Sequence, residues 1–193
     1  MLPAFNVLKS FTSITLMLIS VSAISCTGSS GDDQPTPVLS SAPSTTFPMP
    51  PVKPNADMGW VLSDGSRSRI ADHANRILVL DFYATWCVPC RQSIPHLEAM
   101  QARFRAQGLQ VIGLNVGGAD DRVKVPAFAT ELKIDYPLGF PDKSLSEFFL
   151  SDNQTIPQTF VFGRDGNLIK RFIGYDTAIG TELEKTIEAA FEK

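Results

Sequence analysis

Residues 77–90 read Ile77-Leu78-Val79-Leu80-Asp81-Phe82-Tyr83-Ala84-Thr85-Trp86-Cys87-Val88-Pro89-Cys90. The stretch begins as an apolar, β-rich run and ends in two cysteines held two residues apart. Such a run reads as a buried strand, with Trp86 and Cys87 in the turn that follows it. After Cys90 the pattern changes: Ile94, Leu97, Met100 and Phe104 recur at steps of three and four, one stripe of an amphipathic helix. The dithiol therefore lies where a strand feeds a helix, with Cys87 at or just before the helix N-terminus. Exposed backbone N–H groups and the positive end of the helix dipole stabilise an anion there. A thiolate is such an anion, and these surroundings lower a cysteine pKa by roughly one to five units. Thiol–disulfide exchange requires that geometry.

Other readings of the pair fare worse. A structural zinc site needs four ligands, and beyond this pair the chain offers Cys26, His73 and His96. A static disulfide closing so short a loop constrains the unfolded chain little. A Cys-x-x-Cys pair beside a strand–helix–strand pattern reads as redox exchange. The expected redox element is then the Cys87–Cys90 disulfide itself, with no other cofactor and no metal.

Phe82 to Cys90 resembles the active-site signature of the thioredoxin superfamily, and of its membrane-anchored TlpA/ResA-like branch in particular. The likeness extends over most of residues 57–193. It implies an α/β thioredoxin fold: a mixed central sheet with helices on both faces, an N-terminal β-hairpin, and a TlpA/ResA-like insertion between the two halves. It also implies a thiol–disulfide oxidoreductase, a protein-disulfide reductase more than an oxidant. Its partners would be exported proteins with cysteines or disulfides, apocytochrome c among them, and a membrane thiol transporter as electron donor. Two alternatives stay open: a metallochaperone holding copper through Cys87 and Cys90, and a peroxiredoxin-like peroxidase. Copper-carrying relatives typically space their cysteines by three residues and add a distant downstream histidine, and nothing beyond His96 qualifies.

At 193 residues and a formal net charge of −3, the chain suits one ordinary domain plus extras. Mild acidity and 19% charged residues give no basic face for nucleic acid. Residues 1–25 carry Lys9 and then an apolar stretch, Phe11 to Ile24, diluted by Ser and Thr. It is shorter than the ~20 apolar residues a spanning helix needs, so it reads as an export signal peptide of lipoprotein type. Ala23-Ile24-Ser25-Cys26 resembles a lipobox, with Cys26 the lipidated residue, although that family usually has Leu at the place of Ala23. An uncleaved anchor, or cleavage near Ala23 with Cys26 exposed, are the alternatives. Residues 26–56 form a Pro/Ser-rich linker behind the lipid, with Pro35, Pro37, Pro43, Pro48, Pro50, Pro51 and Pro54 and no hydrophobic period. Extended at about 3.1 Å per residue, it spans up to roughly 80–90 Å. The domain, residues 57–193, is expected as a monomer on the extracytoplasmic, periplasmic face of a bacterial envelope, anchored to the membrane by lipid.

Within the domain, Trp60-Val61-Leu62 is a short strand that pairs back with Ser68 to Ile70 after a turn at Asp64-Gly65. The helix from Cys90 to about Gln107 contains Pro95, which should kink it, and ends at Gly108. Leu109 to Val116 closes a strand–helix–strand unit with parallel pairing. A helix from Asp121 or Pro126 to about Lys133, a strand from Tyr136 to Phe140 and a helix from Lys143 to Leu150 resemble the insertion. Strands Thr159–Phe162 and Leu168–Phe172 flank the hairpin signal Arg164-Asp165-Gly166-Asn167. Thr181-Glu182-Leu183-Glu184 reads as a capping box opening the last helix.

The resemblance assigns roles. Cys87 is the exposed nucleophile and Cys90 the resolving thiol. Pro89 removes a donor from the loop between them, and Val88 adds no charge. Thr155-Ile156-Pro157 resembles the superfamily's cis-proline loop, whose Ile156 edge pairs with an extended substrate; an ordinary trans proline at a strand start is the alternative. Gly174 faces the same groove, and Trp86 covers the thiol and contacts partners. Asp81 stands inside an apolar strand, at the position of thioredoxin's buried acid, and exchanges a proton with Cys90 using a pKa raised by desolvation. Two positions depart from the relatives: Ser93 replaces a Glu common in TlpA/ResA-like chains, and Gly113 stands where thioredoxin has a Lys. His96 reads as a helix-surface residue and His73 as a loop residue.

Lipid attachment predicts a mature chain that begins at Cys26 and exceeds its polypeptide mass by a diacylglyceryl group. Intact-mass analysis of membrane-extracted protein checks this, and an unmodified Cys26 or a different N-terminus contradicts it.

Overall fold

The computed structural model describes residues 58–192; the expected signal peptide, the Cys26 lipid site and the linker lie outside the described residues. Strand β3 (Ile77–Tyr83) is buried along its whole length. A continuous apolar run of this kind needs cover on both faces, and alternate side chains fill two separate cores. Ile77, Val79 and Tyr83 join one, while Leu78, Leu80 and Phe82 join the other. The remaining strands are β1 (Gly59–Leu62), β2 (Arg67–Arg69), β4 (Leu109–Asn115), β5 (Leu138–Pro141), β6 (Gln158–Phe162) and β7 (Leu168–Ile173).

Together they form a mixed seven-stranded sheet in the order β2-β1-β5-β4-β3-β6-β7. Only β3–β4 and β4–β5 pair in parallel. Helices α1 (Val88–Phe104), α3 (Val125–Leu132) and α5 (Thr177–Phe191) pack on one face through Ile94, Leu97, Phe128, Leu183 and Ile187. Helix α4 (Lys143–Leu150) covers the other with Leu145 and Phe149, beside Trp60. β1 and β2 make the N-terminal hairpin, and β5 bridges it to β4. Among the described residues, no helix is long and apolar enough to cross a membrane.

Several boundaries differ from the sequence reading, each for a local reason. α1 begins at Val88 rather than Cys90, because Pro89 falls in its first turn, where a missing N–H leaves no bond unmade. It ends at Phe104, and a 3-10 turn (Arg105–Gln107) carries the chain to Gly108, whose φ of 101° reverses it. The single helix expected up to Lys133 is two: α2 (Ala119–Arg122) and α3, with Pro126 in the first turn of the second. The last helix starts four residues before the expected capping box, at Thr177. Its cap is Asp176, whose carboxylate accepts the Ile179 N–H at 2.7 Å, while the Thr181 hydroxyl donates to Thr177 O at 2.9 Å inside the helix.

Asp176→Ala should therefore lower unfolding free energy by about 1 kcal/mol, and Thr181→Ala by clearly less. Urea unfolding of both variants tests this; equal losses would contradict the assigned helix start.

Candidate active site

β3 delivers its chain to the N-terminus of α1, and the N-cap residue is Cys87. Four N–H groups at a helix start lack intrahelical partners. Here one of them, from Cys90, donates to Cys87 Sγ at 3.2 Å. Cys87 and Cys90 are joined in a disulfide, their Cα atoms 5.3 Å apart. Cys87 keeps 4% of its surface exposed and Cys90 none, so an incoming sulfur reaches Cys87 first. Cys87 is thus more buried than the exposed nucleophile expected from sequence, because the Ile156 carbonyl oxygen lies 3.7 Å from its Sγ. Val88 and Pro89 are exposed beside it, as is Trp86.

Ile156 belongs to a loop anchored by a buried polar network. The Ile156–Pro157 bond is cis, and Pro157 is buried with its carbonyl accepting the Gly174 N–H at 2.8 Å. Gly174 adopts φ 77°, a conformation in which a side chain is strained. Arg171, on β7, donates to Gln158 Oε1 at 2.8 Å and reaches both Asp152 oxygens at 2.7 and 3.0 Å. Gln158 Nε2 in turn donates to the Asn153 and Thr155 carbonyls, at 2.7 and 2.8 Å. The hydrogen bond from Arg171 holds the Asp152 carboxyl below its ordinary range. These side chains fix the loop before Pro157, a role that sequence reasoning missed. No periodicity announces it, since an arginine in an edge strand is ordinarily a surface residue.

A second network underlies the turn before Cys87. Asp121, buried in α2, accepts from the Thr85 N–H at 2.9 Å, from the Thr85 hydroxyl, and from Asn115 Nδ2 at 2.8 Å. Burial alone would raise its pKa, but the hydrogen bonds from Asn115 and Thr85 outweigh burial and hold it below the usual carboxylate range. A Cβ on Gly117 would run into this carboxylate. Sequence reading placed Asp121 only as a helix start, where acidic residues are common on helix-dipole grounds alone.

Asp81 lies on the α1 side of β3 by strand alternation. It is fully buried. Thr159, its cross-strand neighbour on β6, donates to Oδ1 at 2.8 Å, whereas Oδ2 has no partner among the described residues. Burial pushes its carboxyl up to about 7, against the Thr159 hydrogen bond, which favours the anion. Gly113 lies opposite Asp81 on β4. A Cβ there would meet Leu138 Cδ2 at 2.6 Å, Tyr136 Cε2 at 3.2 Å and Tyr83 Cε1 at 3.3 Å. The two tyrosine rings fill the room a lysine would need, and burial followed by the Asp81 charge raises both phenol pKa values. Ser93 is buried on α1 and donates to the Cys90 carbonyl at 3.0 Å. His96 is a half-buried residue of α1 that faces α5, with its Nδ1 3.2 Å from the Tyr175 hydroxyl and its Nε2 3.7 Å from Glu184 Oε2. His73 stacks on Trp60 with ring centroids 5.6 Å apart.

A groove of about 720 Å³ is lined by Trp86, which precedes Cys87 in the chain, and by Ile156, whose carbonyl faces Cys87 Sγ. Val116, Arg122, Phe140 and Leu150 are among its other lining residues. The structure thus brings Trp86 and Ile156 together at this groove, whereas neither cysteine, nor Asp81 or Gly174, is among the residues that line it.

A model of the AhpC/TSA family matches residues 42–171. The thiol-disulfide oxidoreductase ResA of Bacillus subtilis is 26% identical over 118 residues, covering 60% of this chain and 64% of that protein. The chain therefore spans somewhat less than two thirds of that relative's length. The thioredoxin-like protein YneN of the same organism is 29% identical over 125 residues, covering 64% and 68%. The crystal structure of a thioredoxin family thiol:disulfide interchange protein from Chlorobium tepidum superposes with a TM-score of 0.63 at 23% identity, covering 74% and 98%. That likeness establishes the thioredoxin fold.

Asp81 has a definite pH signature. Its folded pKa of about 7 lies above the ordinary 3.8, so the folded protein holds a proton that the unfolded chain releases. Its contribution to stability is present below about pH 4 and is lost as pH rises toward about 7. Asp81→Asn should then be more stable than the parent at pH 8, by about 1–3 kcal/mol. The gain should vanish near pH 4. Urea titrations at both pH values check this, and a pH-independent difference would contradict it.

Proposed function

The chain belongs to the AhpC/TSA family, and we propose that it is a thiol–disulfide oxidoreductase that reduces disulfides in exported proteins. One observation carries this reading: Cys87 Sγ sits at the N-cap of α1 and accepts the Cys90 N–H, while its neighbours Trp86 and Ile156 line a groove of about 720 Å³. The similarity to ResA, a thiol-disulfide oxidoreductase, supports the same chemistry.

In the reduced protein the helix terminus favours the Cys87 thiolate. The thiolate attacks one sulfur of a substrate disulfide, forming a mixed disulfide and releasing the other substrate sulfur as a thiolate. Cys90 then loses its proton to Asp81 and attacks Cys87 Sγ. That step expels the second substrate sulfur and forms the Cys87–Cys90 disulfide seen in the structure. Two electrons have passed from the dithiol to the substrate, and a membrane thiol transporter returns them. Trp86, Val88, Pro89, Ile156, Pro157 and Gly174 receive the substrate, whose extended backbone lies against the Ile156 edge. Attachment through Cys26 and the linker holds the domain on the extracytoplasmic face, where apocytochrome c is one candidate substrate.

Cys87→Ser should abolish insulin reduction. Cys90→Ser should accumulate mixed disulfides, because attack persists and resolution does not. Trapping through Cys90 instead of Cys87 would reverse the roles. The Cys87–Cys90 couple should have a potential near or below about −250 mV; a value near about −120 mV would make the protein an oxidant. Peroxide turnover, or stoichiometric copper binding without disulfide reduction, would overturn the reading.

A further inference from the structure

We propose that Asp121 is a positioning residue for Cys87, locking the Thr85–Cys87 turn to the wall of the substrate groove. The proposal rests on the reading of Cys87 as nucleophile. It starts from the donors that converge on one carboxylate. Thr85 gives its N–H at 2.9 Å and its hydroxyl, and Asn115 gives Nδ2 at 2.8 Å. A carboxylate is acceptor-only and can receive all three; an amide of the same shape would turn its own donors toward one of them. Asp121 is 2% exposed, so a lost partner there is not replaced freely by solvent.

The three residues come from three places. Thr85 follows β3, Asn115 ends β4, and Asp121 lies in α2. Thr85 is two residues from Cys87, and the Cys87 N–H donates to Ala84 O at 3.2 Å to close the turn. The placement of Sγ at the helix N-cap therefore follows the placement of the Thr85 peptide. α2 also contributes Ala119 and Arg122 to the lining of the groove that Trp86 lines from the turn. Gly117 lets the chain wrap this carboxylate, since any Cβ would strike it. One buried carboxylate thus joins the turn that leads to the dithiol to the segments that line the groove.

Position and charge make opposite demands on the thiol. If Asp121 acted on Cys87 through its negative charge alone, removing the charge would make Cys87 more acidic. If it holds the turn, removing it displaces Sγ from the helix N-terminus and makes Cys87 less acidic. The experiment uses the full chain in a Cys90→Ser background, with iodoacetamide alkylation of Cys87 followed by peptide mass spectrometry across pH 5 to 10. Asp121→Asn should raise the pH midpoint and slow alkylation at pH 7 by roughly three- to tenfold, while the rate at high pH is kept. Thr85→Val, which removes one donor and keeps the N–H, should shift the midpoint the same way by less. An unchanged or lowered midpoint in a folded Asp121→Asn protein overturns the proposal. If that variant fails to fold, an unchanged midpoint in Thr85→Val overturns it. Alkylation needs no disulfide substrate, so a failure of the reductase reading would appear separately, as absent insulin reduction with the midpoint shift intact.

Discussion

The hydrogen bond from Cys90 N–H to Cys87 Sγ concentrates the physics of this molecule in one contact. A helix start must satisfy donors that the helix cannot use, and Ser, Thr, Asp or Asn normally supplies the acceptor. In α1 a cysteine sulfur occupies that position. The atom that caps the helix is thereby the atom best placed to carry negative charge, so the capping geometry and the proposed reactivity have one cause. The rest of the fold keeps this contact in register. β3, buried on both faces, cannot slide, and its chain emerges directly into the cap.

Loops have no ladder of their own to fix them, and the two loops flanking the disulfide are held by buried charge instead. Arg171 and Gln158 brace the segment before Pro157, and Asp121 braces the turn before Cys87. Burying an ion is costly unless its hydrogen-bonding capacity is filled, and both ions have theirs largely filled. Arg171 meets a bidentate carboxylate, and Asp121 meets three donors. Removing one partner from such a network leaves the others stranded without a replacement.

Asp81 is the opposite case, a buried acid that has, among the described residues, one hydrogen-bond donor on Oδ1 and none on Oδ2. Its neighbours across the strand and behind it are Gly113 and two tyrosine rings, which stabilise the neutral acid by excluding water. A carboxyl poised near neutrality is matched to proton transfer at that pH. The same desolvation destabilises the fold once the proton leaves, so the proposed proton exchange would come at a cost in stability.

Local sequence determined the strand, the helix behind it and the dithiol between them, because hydrophobic period and Cys-x-x-Cys spacing are properties of contiguous residues. The Arg164–Asn167 turn and helix α4 were legible for the same reason. Asp81 was legible as an anomaly, one carboxylate in an apolar run. Helix starts were less so: Thr181 carries a good capping pattern, yet Asp176 captures the cap because the chain turns there after β7. What only the tertiary structure decided was the company of residues far apart in the chain. Asp121 meets Thr85 across 36 positions, and Ile156 meets Cys87 across 69. Nothing in the spacing of an aspartate or an arginine says whether the sheet will bury it. That depends on which strands become neighbours, and β4 and β6 become neighbours of β3 only when the whole sheet forms.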